Sequence, residues 1–169
     1  AAVPLFTLGA GSNLLIADAG VRGVVIRLAD GLTALHIADG VLTVAAGAAD
    51  PAVADALAQA GVPGFGYLAD LPGTIGGAVV MNAGNDEGEV QNHLIDVTWV
   101  DPEGALHVTA AVDCALGYRT SRFRVEPAII LSARFRAEPT GSPALLAAHN
   151  ESIRARRRAR FPAERLNCG

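Results

Sequence analysis

An α+β fold is predicted by three features of the sequence. Short strand-like segments crowd the first half, an antiparallel hairpin follows in the second half, and the helical segments do not alternate regularly with the strands. Half of the 169 residues are hydrophobic and 18% are charged, a composition that is typical of packed globular chains. A chain of this length forms one domain or two small lobes that share a core.

The first half is predicted to be rich in short strands. Asp30-Gly31 predicts a turn, and Asp39-Gly40 favours a tight hairpin between its two flanking segments. Five apolar segments predict strands, at residues 5–8, 14–16, 24–28, 34–37 and 41–45.

A helix is predicted to begin at Asp50-Pro51. Asp50 is expected to cap it, and Pro51 suits its first turn. Val53, Leu57 and Ala60 recur at helical spacing, and Gly61 is expected to end the helix.

The second half is predicted to be antiparallel with a helix at its end. Residues 63–88 are glycine-rich and irregular, apart from a short apolar segment at 76–81 that predicts a helix. The other predicted elements are a hairpin of strands 94–100 and 105–109, a strand at 128–135, and a helix from Ser142-Pro143 to about Arg160 that stops at Phe161-Pro162.

Composition excludes several classes of protein. All thirteen basic residues are arginines, so lysine Schiff-base chemistry is excluded. Five of them lie between Arg154 and Arg160, and a nucleic-acid-binding face is one interpretation, but the net charge of −4 favours a solvated helix instead. The four histidines and the two cysteines, Cys114 and Cys168, lack metal-ligand spacing, and no apolar run is long enough for a membrane helix. A cytoplasmic protein without a metal is expected.

Two glycine-rich motifs point to a bound cofactor. Gly9-Ala10-Gly11-Ser12-Asn13 is a tight turn whose backbone N–H groups could bind a pyrophosphate, or it is an ordinary turn between strands. It does not match the dinucleotide pattern GxGxxG. The stretch from Leu71 to Gly84 has Thr74 and Asn82 among small residues, so a flat ligand could lie against its backbone. The alternative is a loop that only packs against the sheet.

A third motif runs from Gly117 to Phe123. Tyr118 and Arg119 could present a hydroxyl and a permanent cation to one cleft, and such a cation suits a developing enolate or a phosphate. A surface arginine beside a half-buried tyrosine is the alternative.

Taken together and in this order, the three motifs resemble those of the UDP-N-acetylenolpyruvoylglucosamine reductase family. The resemblance implies a vanillyl-alcohol-oxidase-like (PCMH-type) FAD-binding fold of two small lobes. It implies FAD as cofactor, NADPH as reductant and a UDP-sugar as substrate, with Arg119 in catalysis and Tyr118 at the substrate edge. The residues that the resemblance assigns to FAD are Gly9, Ala10, Gly11, Ser12, Asn13, Leu14, Pro72, Gly73, Thr74, Gly76, Gly77, Ala78, Asn82, Ala83 and Gly84.

The resemblance also implies a division of the chain and some departures from the family pattern. Residues 1–62 would be the later part of the first lobe, 63–162 the second lobe, and 163–169 the start of a substrate domain. The serine that donates the proton and the C-terminal glutamate of the family have no counterpart, so the fragment is expected to be truncated at both ends and inactive. Gly66, Asp70 and Asn85-Asp86-Glu87 differ from the family pattern. A flavin-binding domain that only relays electrons is the alternative function, and the sequence leaves the oligomeric state open.

Overall fold

The computed structural model describes residues 3–29 and 31–160. The predicted turn residue Asp30, the predicted helix stop at Phe161-Pro162, Cys168 and the segment 163–169 lie outside the described residues. The helices and strands are, in order, β1 Leu5–Leu8, β2 Val24–Arg27, β3 Leu35–Ala38, β4 Val41–Ala45, α1 Asp50–Gln59, α2 Ile75–Val80, β5 Gly84–Asn85, β6 Gly88–Glu89, β7 Leu94–Val100, β8 Leu106–Ala110, β9 Ile129–Arg136 and α3 Pro143–Arg160.

The N-terminal strands form a small sheet of their own. β1 and β2 pair in parallel, with Leu5 opposite Val24. The strand predicted at residues 14–16 is wrong, because this segment is irregular in the structure. Leu14, Leu15 and Ile16 are exposed, and β1 has β2 as its ladder partner. An apolar run becomes a strand only where a neighbour satisfies its backbone hydrogen bonds.

The main sheet has five antiparallel strands in the order β3-β4-β9-β7-β8. The predicted hairpin between β3 and β4 is confirmed, since Asp39 and Gly40 both have positive φ, as a two-residue turn of this type requires. β9 lies between β4 and β7, so segments distant in the sequence share one sheet. The sheet contains strands from both sides of residues 62 and 63, and the division into lobes there stays a prediction.

Helix α1 packs against α3. Gly61, with φ of +74°, follows its end as predicted. Its predicted cap is wrong: Ala49 occupies the N-cap position and no side chain caps the helix. Asp50 is instead the first helical residue, and its side chain is buried. The large side chains that are fully buried and form the centre of the core include Leu42, Val44, Val53, Leu57, Leu68, Ile75, Leu94, Val97 and Phe135.

Two arginines of the arginine-rich helix α3 form ion pairs with acidic side chains of the same chain. Arg154 pairs with Asp55 of α1 at 2.7 Å, and Arg156 pairs with Glu87 at 2.6 Å. Surface ion pairs of this kind stabilise little, but they show that the arginine run faces acidic groups of the same chain. Within residues 3–29 and 31–160, no helix is long and apolar enough to cross a membrane.

Candidate functional site

The structure brings the first two motifs into contact. We call Gly9–Asn13 the glycine turn and Pro72–Gly84 the central loop. A Cβ atom on Gly9 would lie 2.5 Å from Thr74 Oγ1, and a Cβ on Gly73 would lie 3.9 Å from Ser12 Oγ. A carbon and an oxygen that are not bonded do not approach to 2.5 Å, so any side chain at residue 9 would force Thr74 to shift.

The central loop is fixed through its backbone to the segment between β4 and α1. Thr74 pairs with Ala49, the N–H of Ile75 donates to the Ala48 carbonyl at 3.0 Å, and that of Gly76 donates to Ala46 at 2.8 Å. These bonds hold the start of α2 beside the glycine turn.

The two neighbouring glycines inside α2 differ in their exposure to solvent. Gly76 is buried, and a Cβ there would lie 3.0 Å from Ala46 Cβ. Gly77 is exposed, and a Cβ there would meet only Thr74 Oγ1, at 3.8 Å. Since the backbone at Gly77 is open to a neighbour, a flat ligand could pack directly on it, and the residues present fit a flavin in this respect.

Asn82 joins the central loop to the third motif. It is fully buried with φ of +41°. Its Nδ2 donates to the Gly117 carbonyl at 3.1 Å and to Glu89 Oε2 at 3.2 Å, and its Oδ1 accepts from the N–H of Gln91 at 3.0 Å. The amide of Asn82 is therefore engaged within the protein, and a direct contact of this side chain with the cofactor stays a prediction.

Tyr118 and Arg119 form the tip of a tight turn. Gly117 and Thr120 exchange backbone hydrogen bonds at 3.1 and 3.2 Å. Tyr118 is 85% exposed, and Arg119 has φ of +54°. A positive φ costs a residue with a side chain about 1–3 kcal/mol, and such strain is common at functional sites.

The guanidinium of Arg119 points to the central loop. Its Nη2 donates to the Gly84 carbonyl at 2.7 Å, and its Cζ lies 5.1 Å from the centre of the Tyr118 ring. Ser121, which is buried, donates from Oγ to the Val80 carbonyl at 2.8 Å and so ties the third motif to the end of α2. All three motifs therefore meet around the central loop, with one fixed cation beside it.

Two buried polar groups behind the central loop escaped the sequence analysis as site residues. Within the described part of the chain, Asp50 Oδ1 and the Tyr67 hydroxyl have no hydrogen-bond partner. Burial raises the pKa of Asp50 to about 7. Burial also raises the pKa of Tyr67, and the negative charges of Asp50 and Glu89 raise it further. Asp50 differs from an ordinary helix cap in that its side chain is buried, and this burial cannot be predicted from the sequence.

The residues that depart from the family pattern form a network beside α3. Asn85 Nδ2 donates to Asp70 Oδ1 at 3.2 Å, and Glu87 pairs with His149 at 2.9 Å. A Cβ on Gly66 would lie 3.4 Å from His149 Nε2. The partners Arg156 and His149 hold the pKa of Glu87 below its usual range.

No metal centre is apparent in the part of the chain that the structure describes. No group of three histidine, cysteine or acidic side chains there could hold a metal ion. Cys114 is buried, and burial raises the pKa of its thiol to about 11, which disfavours the thiolate that a metal requires.

Comparisons with known proteins show which family the chain is similar to. Residues 1–110 match the family described as FAD binding domain. The chain is 46% identical over 168 residues to a protein named UDP-N-acetylenolpyruvoylglucosamine reductase of Paracoccus denitrificans, and 40% identical over 168 residues to one of the same name of Cereibacter sphaeroides. Each alignment covers 99% of this chain and 54% of the relative. The chain thus spans about half the length of these relatives.

Solved structures also resemble this chain. The crystal structure of UDP-N-acetylenolpyruvylglucosamine reductase from Thermus caldophilus matches with a TM-score of 0.80 at 30% identity, over 99% of this chain and 60% of that one. A chain of CO dehydrogenase from Oligotropha carboxidovorans matches with a TM-score of 0.57 at 19% identity, over 80% of this chain and 52% of that one. The second likeness shows a shared fold alone.

Proposed function

The chain belongs to the FAD-binding domain family, and from this premise we propose that it is the FAD-binding part of an NADPH-dependent reductase. The reaction is the reduction of UDP-N-acetylglucosamine enolpyruvate to UDP-N-acetylmuramate, a step in peptidoglycan precursor synthesis. The relatives that bear the name of this reductase support the choice. The observation that carries the proposal is the meeting of the three motifs: Gly9 packs on Thr74, and Arg119 donates to Gly84.

The cofactor would be held mainly by backbone. The N–H groups of the glycine turn and Leu14 would bind the pyrophosphate, since Gly11 has φ of +79° and leaves the turn without a blocking side chain. The central loop, with exposed Gly77, would lie along the flavin. Bound FAD supplies hydride transfer, from NADPH to the enolpyruvyl double bond.

Arg119 would stabilise the negative charge that develops on the enolpyruvyl group as hydride arrives. An arginine keeps its proton at all working pH values, and its bond to the Gly84 carbonyl holds the cation beside the central loop before the substrate binds. A cation fixed in advance stabilises the transition state without a cost of reorganisation. Exposed Tyr118 would contact the UDP-sugar at the edge of the site. A cytoplasmic location and the absence of a nucleic-acid partner are part of the same proposal.

The first test is the visible absorption spectrum of the purified chain after addition of FAD and removal of the excess. A retained flavin spectrum is the expected result. A chain that binds no FAD at any concentration would contradict the cofactor assignment.

The second test separates the two half-reactions in an FAD-loaded protein that contains this chain. Arg119→Ala should slow reoxidation of the reduced flavin by the UDP-sugar by about 10²–10³-fold, the usual loss for one charge-stabilising donor. Reduction by NADPH should be nearly unchanged. Arg158→Ala, which removes only a surface pair with Glu151, is the matched control. Equal slowing of both half-reactions would refute the role of Arg119, and no effect on either would favour an electron-relay domain.

A further inference from the structure

Asp50 places a carboxyl group directly behind the central loop. Its backbone N–H donates to the Gly73 carbonyl at 3.1 Å. The position of a Cβ on Gly73 lies 2.5 Å from Asp50 Oδ2 and 3.9 Å from Ser12 Oγ. The carboxyl group, the central loop and the glycine turn therefore meet at one point.

Apart from the N-terminus of α1, whose dipole favours a carboxylate, the surroundings of this carboxyl group do little to stabilise its charged form. Asp50 is 2% exposed, and its Oδ1 has no hydrogen-bond partner in residues 3–29 and 31–160. The titratable groups near it are acids. The charge of Asp50 raises the pKa of Tyr67, which lies in the 3₁₀ turn Gly66–Leu68, and Glu89 of β6 raises the pKa of Tyr67 in the same way. Among the described residues, burial is the effect that shifts the pKa of Asp50, and it raises that pKa to about 7. A buried carboxylate without a cation or donors is unfavourable.

We propose that binding of the FAD pyrophosphate at the glycine turn is coupled to uptake of one proton by Asp50. The inference rests on the proposed function. The pyrophosphate brings negative charge to the glycine turn. Ser12 Oγ of this turn and the Asp50 carboxyl group both lie within 4 Å of the Cβ position at Gly73. Like charges repel, and the burial of Asp50 leaves its charge weakly screened, so FAD binds the neutral form of Asp50 more tightly than the ionised form. By linkage, bound FAD then makes the carboxyl group harder to ionise, and the proton comes from solvent.

The coupling fixes the direction of a pH dependence. Below the pKa of Asp50 in the free protein, the carboxyl group is already neutral and the Kd for FAD is constant. Above it, each binding event must take up a proton, so the Kd rises by up to tenfold per pH unit until the pKa of the FAD complex is reached. Neither the pyrophosphate nor the flavin ring titrates in this range, so the slope belongs to the protein.

The experiment measures the Kd of the chain for FAD at pH 6.5, 7.5 and 8.5 by flavin fluorescence. For the wild type, binding should weaken by about tenfold across this range. Asp50→Asn should bind with nearly the same Kd at all three pH values, whereas Asp113→Asn, a change at an exposed acid, should keep the wild-type slope. Riboflavin, which lacks the pyrophosphate, should show no slope with any variant.

A calorimetric measurement of wild-type FAD binding in two buffers of different ionisation enthalpy gives the proton uptake directly, and it decides the matter if Asp50→Asn fails to fold. Uptake of about 0.6 proton at pH 8 is expected, in line with the tenfold change in Kd. FAD binding that is independent of pH without proton uptake, or an Asp50→Asn variant that keeps the wild-type slope, would overturn the coupling and leave the proposed function intact. A chain that binds no FAD at any of these pH values would overturn the proposed function and the coupling with it.

Discussion

Gly77 provides a test in which stability and cofactor binding should change in opposite directions. It lies within α2, and a methyl group there would meet only Thr74 Oγ1, at 3.8 Å. The fold therefore accepts Gly77→Ala. Alanine is favoured over glycine inside a helix by about 1 kcal/mol. For a chain of this size, that corresponds to a rise in Tm of about 2–4 °C.

FAD binding should weaken in the same variant. If the flavin packs on the backbone at Gly77, one methyl group in the contact holds the ring away, and we expect about tenfold weaker binding, or about 1.4 kcal/mol. Gly77→Val, with its branched side chain, should abolish retention of the flavin. Titration with FAD and thermal melting of the same samples give both quantities.

Two other glycines supply the controls. Gly31→Ala adds a methyl group in open space, with nothing within 4 Å, and should leave the Kd for FAD unchanged. Gly76→Ala places its methyl group 3.0 Å from Ala46 Cβ and should lower Tm instead. If Gly77→Val stays yellow after removal of excess FAD, the exposed side of α2 is not the flavin contact and the reasoning fails.

Two further predictions concern stability. Asn82→Ala leaves the N–H of Gln91 and the Gly117 carbonyl without their partner, so the free energy of unfolding in urea should fall by about 2–3 kcal/mol. Gln59→Ala, a change at an exposed amide at the end of α1, should change it by less than about 0.5 kcal/mol, and equal effects would contradict a special role for Asn82. The pKa of Asp50 is raised from 3.8 to about 7 in the folded chain, so the unfolded chain releases this proton first and wild-type stability should fall as the pH rises from about 4 to 7, by on the order of 3–4 kcal/mol. In urea unfolding at pH 5 and pH 8, Asp50→Asn should lack this fall in the free energy of unfolding. If the variant shows the same difference between the two pH values as the wild type, Asp50 is not the group responsible.

The local elements of the fold could be predicted because their causes lie within a few residues. Asp39-Gly40 specifies its hairpin through two positive φ angles, and Gly61 ends α1 for a similar reason. The hairpin of β7 and β8 also forms within a residue of its predicted bounds, with Gly104 at φ of +86° in its turn.

Errors arose where a distant neighbour decides. The apolar run Leu14–Ile16 meets every local condition for a strand, but β1 pairs with β2 and the run has no ladder of its own. Asp50 has the residue type and position of a helix cap, yet its carboxyl group is buried behind Gly73. Neither outcome can be read from the segment itself, since it depends on which surface covers the segment.

By itself, the sequence determined where the backbone lacks a Cβ and where a permanent guanidinium charge lies, because both are properties of the residue. From these it predicted the glycine turn, the central loop and Arg119 as a cofactor site. The tertiary structure alone decided that Gly9 packs on Thr74 and that Arg119 donates to the Gly84 carbonyl. It also decided that the side-chain amide of Asn82 forms hydrogen bonds with Gly117 and Gln91. The physical reason is that these contacts join residues up to about 65 positions apart in the chain, so they depend on how distant segments pack and not on the local sequence.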